Sequence, residues 1–167
     1  MEVFRGHQEG LAVVIVNPGV IFGYGFPRKG SDVIIQSVKN GLSFYTKGNI
    51  GIVSVDDVTN CMIQLMNSTI SGERYILLGE NVILKDFITY LATLLNIKAP
   101  TVYASKTMTS IAWRLDWLIA KITNRKKKLT RATAKASHSV HIYDTSKIVT
   151  ALNYSFQKKE TYLTKII

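Results

Sequence analysis

Several groupings of side chains in this 167-residue chain have the types and spacings that chemistry uses. Gly19-x-x-x-Gly23-x-Gly25 follows an apolar run, the order in which glycine-rich loops cradle a pyrophosphate over the next helix. Gly25, however, leads into Phe26-Pro27-Arg28-Lys29-Gly30, which does not continue helically, so a phosphate loop is not expected. Nor does a second strand ending in an acid follow about 20 residues on. Asp56-Asp57 has the look of a paired general acid and base. The pair stands at the start of an apolar helical pattern, where carboxylates complement the helix dipole, and that role is the expected one. His138-x-x-His141 sets two imidazoles three apart without a Cys, His or Asp cluster beside them, so no metal site is expected. Cys61 lies in an apolar helical pattern and reads as a small buried hydrophobe. As the single cysteine it excludes an internal disulfide.

The elements that must position these groups read from the periodicity. Residues 2–8 form the last turns of a helix, and residues 11–16 a strand buried on both faces, the kind found in a parallel sheet covered by helices. Only ten residues precede that strand, too short a span for the βαβ units it needs as neighbours. Residues 17–30 form a loop with four glycines and two prolines, and Ser31 opens a helix that ends at Gly41. Short strands follow at 42–46 and 50–55, a helix at 56–66, a strand at 74–78, a helix at 84–96 and a strand at 101–104. Residues 108–122 make a strongly apolar helix, with Met108, Ile111, Leu115, Leu118, Ile119 and Ile122 at helical spacing and Trp113 and Trp117 on a second face. It runs into Arg125-Lys126-Lys127-Lys128, read as a solvated helix end. Short helices at 130–137 and 145–152 flank a strand at 140–143.

Charge is distributed unevenly. Residues 1–83 carry 6 Lys+Arg against 7 Asp+Glu, and residues 84–167 carry 15 against 4. A basic half can meet nucleic acid, acidic lipid or a phosphorylated substrate, or be a solvated surface. The lysines are not interleaved with aromatics in any nucleic-acid module, so no nucleic-acid partner is expected. No run of about 18 uncharged apolar residues suggests a spanning helix. The first residues lack the apolar core of a secretory leader, and a cytoplasmic setting is the plain reading.

One order of motifs is more specific. The strand, then Asn17-Pro18-Gly19, an apolar pair and Phe22-Gly23 resemble a segment of the extended short-chain dehydrogenase/reductases, the NAD-dependent epimerase/dehydratase family that includes dihydroflavonol-reductase-like proteins. Gly48-Asn-Ile-Gly-Ile-Val-Ser-Val-Asp-Asp-Val58 resembles that family's short strand leading into a helix start. Gly72-Glu-Arg-Tyr-Ile-Leu-Leu-Gly-Glu-Asn81 resembles a further strand. Leu129-Thr-Arg-Ala-Thr-Ala-Lys135, Tyr143-Asp-Thr-Ser-Lys147 and Ala151-Leu-Asn-Tyr154 resemble its closing segment.

The resemblance implies an α/β fold: the C-terminal part of a Rossmann-like enzyme, a parallel-strand remnant plus a small mixed α/β substrate-binding region. Residues 1–22 would end the nucleotide-binding sheet and 23–167 would form the substrate side. The glycine-rich loop, ribose-binding acid, serine and Tyr-x-x-x-Lys pair of the family would precede residue 1. Tyr143-x-x-x-Lys147 and Tyr154-x-x-x-Lys158 match that pair literally but come over 100 residues after Pro18, where the family pair comes before the corresponding strand. They are expected to be decoys, leaving no catalytic residue here.

By the same resemblance Pro18, Gly19, Val20 and Ile21 lie along the nicotinamide of NAD or NADP, and Ser31 reaches its side. A strand-to-loop turn and a helix N-cap account for the same residues. Tyr24, Phe26, Phe44 and Tyr45 are candidate walls of a small-molecule substrate pocket, or core. The expected function is the substrate-binding portion of an NAD(P)-dependent reductase or epimerase acting on a carbonyl or sugar-like alcohol, inactive alone. Exposed strand edges call for a homodimer or a separate N-terminal half. The alternative is a non-enzymatic module whose basic amphipathic helix, residues 107–128, binds a membrane surface or a partner protein.

Overall fold

The computed structural model describes residues 2–25, 30–125, 127 and 129–167. In chain order the elements are α1 (Glu2–Gln8), β1 (Val14–Pro18), β2 (Val20–Phe22), α2 (Asp32–Lys39), β3 (Phe44–Tyr45) and β4 (Asn49–Ser54). Then come α3 (Val55–Met66), β5 (Glu73–Leu77), β6 (Glu80–Ile83), α4 (Leu84–Leu94) and β7 (Val102–Tyr103). Four helices close the chain: α5 (Lys106–Ile122), α6 (Arg131–Ala136), α7 (Ser146–Leu152) and α8 (Lys159–Ile166). The chain divides into two compact units whose segments interleave in sequence. Unit 1 holds Met1–Val33, Gly51–Asn81 and Ile142–Ile167, and unit 2 holds Ile34–Ile50 and Val82–His141.

Unit 1 is built on parallel strand pairs. β1 runs beside β5, with Val14 opposite Glu73 and Pro18 opposite Leu77. β2 runs beside β4 in the same sense, Val20 opposite Ile52 and Phe22 opposite Ser54, within a three-stranded sheet ordered β2-β4-β6. Ser54 also caps α3, its hydroxyl accepting from the Asp56 N–H at 3.1 Å. Val58, Cys61 and Leu65, three and four apart, then face inward and join Val53, Tyr75, Leu77 and Ile148 in one apolar cluster.

The strand beginning near Leu11 differs from the reading of full burial. β1 starts at Val14, its residues are half-buried or exposed, and Leu11 is 63% exposed. The reason is coverage: β1 has β5 as its only strand neighbour among the described residues, so its other edge and part of its faces meet solvent.

Unit 2 packs around α4, where Leu84, Phe87, Ile88, Leu91 and Ala92 repeat at helical spacing and are all buried. Its strands β3 and β7 pair in parallel, Phe44 opposite Val102 and Tyr45 opposite Tyr103. α5 is capped by Ser105, whose hydroxyl accepts from the Met108 N–H at 3.2 Å, and α6 by a reciprocal Thr130–Thr133 box. α5 has one buried residue, Ala120, while Met108, Ile111, Leu115, Leu118, Ile119 and Ile122 face outward. Trp113 and Trp117 share another face, each with a cation over its ring: Arg114 at 4.7 Å and Lys121 at 5.4 Å.

The expected strand at 140–143 is not a strand. His141 exchanges both backbone bonds with the side-chain amide of Asn49, each at 2.7 Å, instead of with a neighbouring strand. Tyr143 does the same with the side chain of Asn81, at 2.9 and 3.1 Å. Two asparagine side chains thus satisfy backbone groups that a ladder would otherwise hold.

Candidate functional site

The carboxyl end of β1 is where this arrangement can meet a ligand, since ligands of open parallel sheets gather at strand carboxyl ends. Pro18 ends the strand opposite Leu77, and the Gly19 N–H donates to the Leu77 carbonyl at 3.0 Å, so the turn leaves the sheet with its donor satisfied. Pro18 has no N–H to offer and is exposed. Gly19 is fixed by close packing. A Cβ there would lie 2.6 Å from the Gly51 carbonyl oxygen and 2.8 Å from Leu78, so any other residue displaces β4 or its neighbour. Val20 and Ile21 begin β2 and are half-buried.

Ser31 belongs to the same group. Its hydroxyl donates to the Ile21 carbonyl, which ties the residue before α2 back to β2 across the glycine-rich loop. The structure therefore brings residues 18–21 and Ser31 together in unit 1. Gly51 and Leu78, which close the back of the Gly19 turn, escaped the sequence reading. A glycine inside the strand pattern 50–55 was the available signal, because such a glycine marks a close backbone approach.

The pocket-wall candidates separate. Tyr24 is 82% exposed, with little of its ring covered. Phe26 lies outside the described residues. Phe44 and Tyr45 belong to unit 2, on β3, where Tyr45 lies 5.8 Å from the Tyr103 ring centroid and under the Lys85 ammonium at 5.1 Å. Phe44 is largely exposed.

The literal Tyr-x-x-x-Lys pairs do not make an activated phenol. Lys147 pairs with Glu73 at 2.5 Å, donates to the Arg74 carbonyl at 3.1 Å and lies over the Tyr75 ring. The Tyr154 phenol donates to Asp57 at 2.8 Å, and burial, reinforced by that bond, pushes its pKa up to about 12. A catalytic tyrosine needs the opposite shift. Asp57 is fully buried and also accepts from the Gln157 N–H at 3.1 Å, so it fastens residues 154–157 to the start of α3. Asp56 sits in the first turn of that helix, as expected of a dipole-complementing acid. Cys61 is buried, its thiol pushed up to about 11 by burial and then by the Asp57 charge. His138 Nε2 lies 2.9 Å from the Thr109 hydroxyl, and His141 is held through its backbone by Asn49. Among the described residues no three His, Cys, Asp or Glu side chains gather as a metal site would require, and no helix is long and apolar enough to cross a membrane.

No protein-family model matches the chain. A Synechocystis sp. protein provisionally named a dihydroflavonol 4-reductase is 26% identical over 159 residues, covering 90% of this chain and 46% of that protein. A crystal structure of a nucleoside-diphosphate-sugar epimerase from Pseudomonas aeruginosa superposes with a TM-score of 0.76 at 21% identity, over 99% of this chain and 50% of that one. The dTDP-glucose 4,6-dehydratase DesIV of Streptomyces venezuelae, solved with NAD bound, gives a TM-score of 0.65 at 17% identity, over 98% of this chain and 45% of that one. The chain thus spans about half the length of these relatives. It resembles the dihydroflavonol-reductase-like, extended short-chain dehydrogenase/reductase group, and its mixed α/β fold is that of half an epimerase or dehydratase.

Proposed function

We propose that this chain is the substrate-side, C-terminal portion of an NAD(P)-dependent reductase or epimerase/dehydratase acting on a carbonyl or sugar-like alcohol. The carrying observation is the turn at residues 18–21. It lies at the carboxyl end of a parallel strand, is accessible at Pro18, is backed tightly by Gly51 and is tied to Ser31 through the Ile21 carbonyl. With no side chain on Gly19, this ledge would leave room for a nicotinamide ring, which would accept or deliver hydride in the complete enzyme. Pro18 and Gly19 would bound the ring on one side without competing donors. Ser31 would hold the ledge in place through Ile21.

This reading makes the chain inactive alone, because Tyr154 and Lys147 are committed to Asp57 and Glu73. An acid/base group would come from a nucleotide-binding half, in the same polypeptide or a separate one, and a homodimer is a further way to cover β1. A cytoplasmic enzyme is the setting that fits. The test is titration of NADH and NADPH into the purified chain, reading nicotinamide fluorescence, with a carbonyl-reduction assay alongside. The expected result is no fluorescence enhancement at millimolar cofactor and no turnover. Micromolar binding with enhanced nicotinamide fluorescence, or turnover, would overturn the reading.

The outward apolar face of α5 favours a second reading, a module that lies on an anionic membrane. Its stripe, rather than the cation-covered tryptophans, would meet the lipid. Salt-sensitive binding to anionic vesicles, lost when Ile111 and Leu115 become serine, is its expected result. No binding at low salt removes it.

A further inference from the structure

Between α5 and α6, unit 2 has a cleft of about 410 Å³ that none of the roles above uses. Its rim carries four cations: Lys106 and Arg114 from α5, Arg131 and Lys135 from α6. All four are exposed, and among the described residues no carboxylate lines the cleft. The helical periods explain the convergence. Residues 106, 110 and 113 repeat along one face of α5, as 131, 134 and 135 do on α6, and the two faces meet across the small buried side chain of Ala134. The floor is polar, with Thr109, Ser110 and Ser139 half-buried beside His138.

Two features set the charge around the cleft. Arg114 is held in place, its guanidinium donating to the Ser110 carbonyl at 2.8 Å and to the Ser110 hydroxyl while lying 4.7 Å from the Trp113 ring centroid. The one acid of α5, Asp116, is turned to other work, accepting from Arg125 at 2.7 Å and from the Leu129 N–H at 3.0 Å. Four like charges around a concave surface with no internal counter-charge repel one another, and a bound anion removes that repulsion. Arginine forks and lysine ammonium groups above hydroxyl donors are the chemistry that phosphate oxygens recognise. Burial and the Lys106 ammonium hold the His138 imidazole below its ordinary range, which agrees with a positive field inside the cleft.

We propose that the α5–α6 cleft is a binding site for a phosphate-bearing ligand, with Lys106, Arg114, Arg131 and Lys135 gripping a diphosphate or similarly polyanionic group. The volume exceeds what a bare phosphate needs, so an organic phosphate ester fits. The phosphate can belong to a soluble metabolite or to a lipid headgroup. The claim does not depend on the nicotinamide ledge: one test reads ring fluorescence, the other uses a probe without a ring.

The experiment is calorimetric titration of inorganic pyrophosphate into the full chain at constant ionic strength, with sulfate as the non-phosphate control. In parallel, vesicles of phosphatidylcholine with and without phosphatidic acid are tested by sedimentation. The variants are R131Q/K135Q, the charge-keeping pair R131K/K135R, and K165Q on α8, all at exposed positions. Saturable pyrophosphate binding that R131Q/K135Q weakens at least about tenfold, and that R131K/K135R and K165Q retain, is the expected result. Vesicle capture that needs phosphatidic acid and the same two cations, without pyrophosphate heat, also supports the site and assigns the phosphate to lipid. Binding equal for sulfate and pyrophosphate, binding unchanged in R131Q/K135Q, or no binding to either probe would overturn it. Backbone amide shifts at Thr109, Ser110 and Ser139 locate the ligand where a variant alone would leave doubt about folding.

Discussion

The two units differ most in what they do with charge. Unit 1 holds 8 Lys+Arg and 9 Asp+Glu, and unit 2 holds 13 and 2. In unit 1 the charges are matched locally: Lys147 with Glu73, Lys159 with Glu80 and Glu160, Arg5 with Glu2 and Glu9. In unit 2 the one ion pair among the described residues is Arg125 with Asp116. Apolar surface divides in the same way. Unit 1 closes Val53, Cys61, Leu77 and Ile148 into a core, whereas unit 2 turns most of α5's apolar side chains to solvent. A unit with matched charge and closed core is organised for stability. One with uncompensated charge and open apolar area is organised for a partner or ligand.

Core truncation should break that contrast most sharply. Leu77→Ala in unit 1 is expected to cost about 2–5 kcal/mol by urea denaturation, since the residue is fully buried and a cavity remains. Ile111→Ala on the open face of α5 should stay within about 0.5 kcal/mol. Equal losses would mean that α5 is covered in solution. Next comes Asp57→Ala, expected to cost about 1–3 kcal/mol because it leaves the Tyr154 hydroxyl and the Gln157 N–H without their acceptor. Tyr154→Phe, which removes one partner only, should cost less.

A smaller effect separates the units by pH. Burial pushes the Cys61 thiol up to about 11 and the Tyr154 phenol up to about 12 in the native state, both above their ordinary values near pH 9 and 10. Above pH 9 the unfolded chain therefore loses protons that the native chain keeps. Stability from these groups is full below that pH and falls as pH rises toward 11 and 12. Cys61→Ala should flatten part of the alkaline decline, measured as denaturation midpoint against pH. The smallest expected effect is on the acid side. The Lys147 hydrogen bond and then its charge hold Glu73 below its ordinary range, so this exposed pair helps above the unfolded value and is lost as pH falls through the folded one. Lys147→Met should return the Glu73 titration, followed by NMR, to the ordinary carboxylate range. High salt should do so in part.

Much of unit 1 was legible because its signals are local. Asn17-Pro18-Gly19 marks a strand end, Asp56-Asp57 the start of a helix, and Cys61 a buried position in an apolar helical pattern, whereas the Ser54 cap shows only in the structure. The likeness to a known family added order to motifs that are individually weak. Other features depended on neighbours far along the chain. β2 is only three residues long and lies within the glycine-rich stretch 17–30, and β6 and α8 carry no local signal of their own. In α8 only Tyr162 and Leu163 are buried, too few to print a helical stripe. The apolar run at 11–16 implies burial that its single strand neighbour among the described residues does not provide. The division into units was hidden because both are assembled from interleaved segments. Residues 142–167 carry basic side chains of the second half into the acid-balanced unit. The phosphate cleft escaped for the same reason: Lys106 and Lys135 are neighbours only once two helices fold together.

The asparagine clasps on His141 and Tyr143 have a consequence for deuterium uptake. Amide protons in a segment outside any sheet ordinarily exchange freely, yet these two are bonded to side-chain oxygens at 2.7 and 3.1 Å. Ile142 between them is 82% exposed. The stretch should therefore show slow, fast, slow exchange along three consecutive residues, the rhythm of an edge strand without a partner strand. Substituting Asn49 should release the first slow amide and substituting Asn81 the third, which makes each asparagine a separate label for the integrity of its own unit.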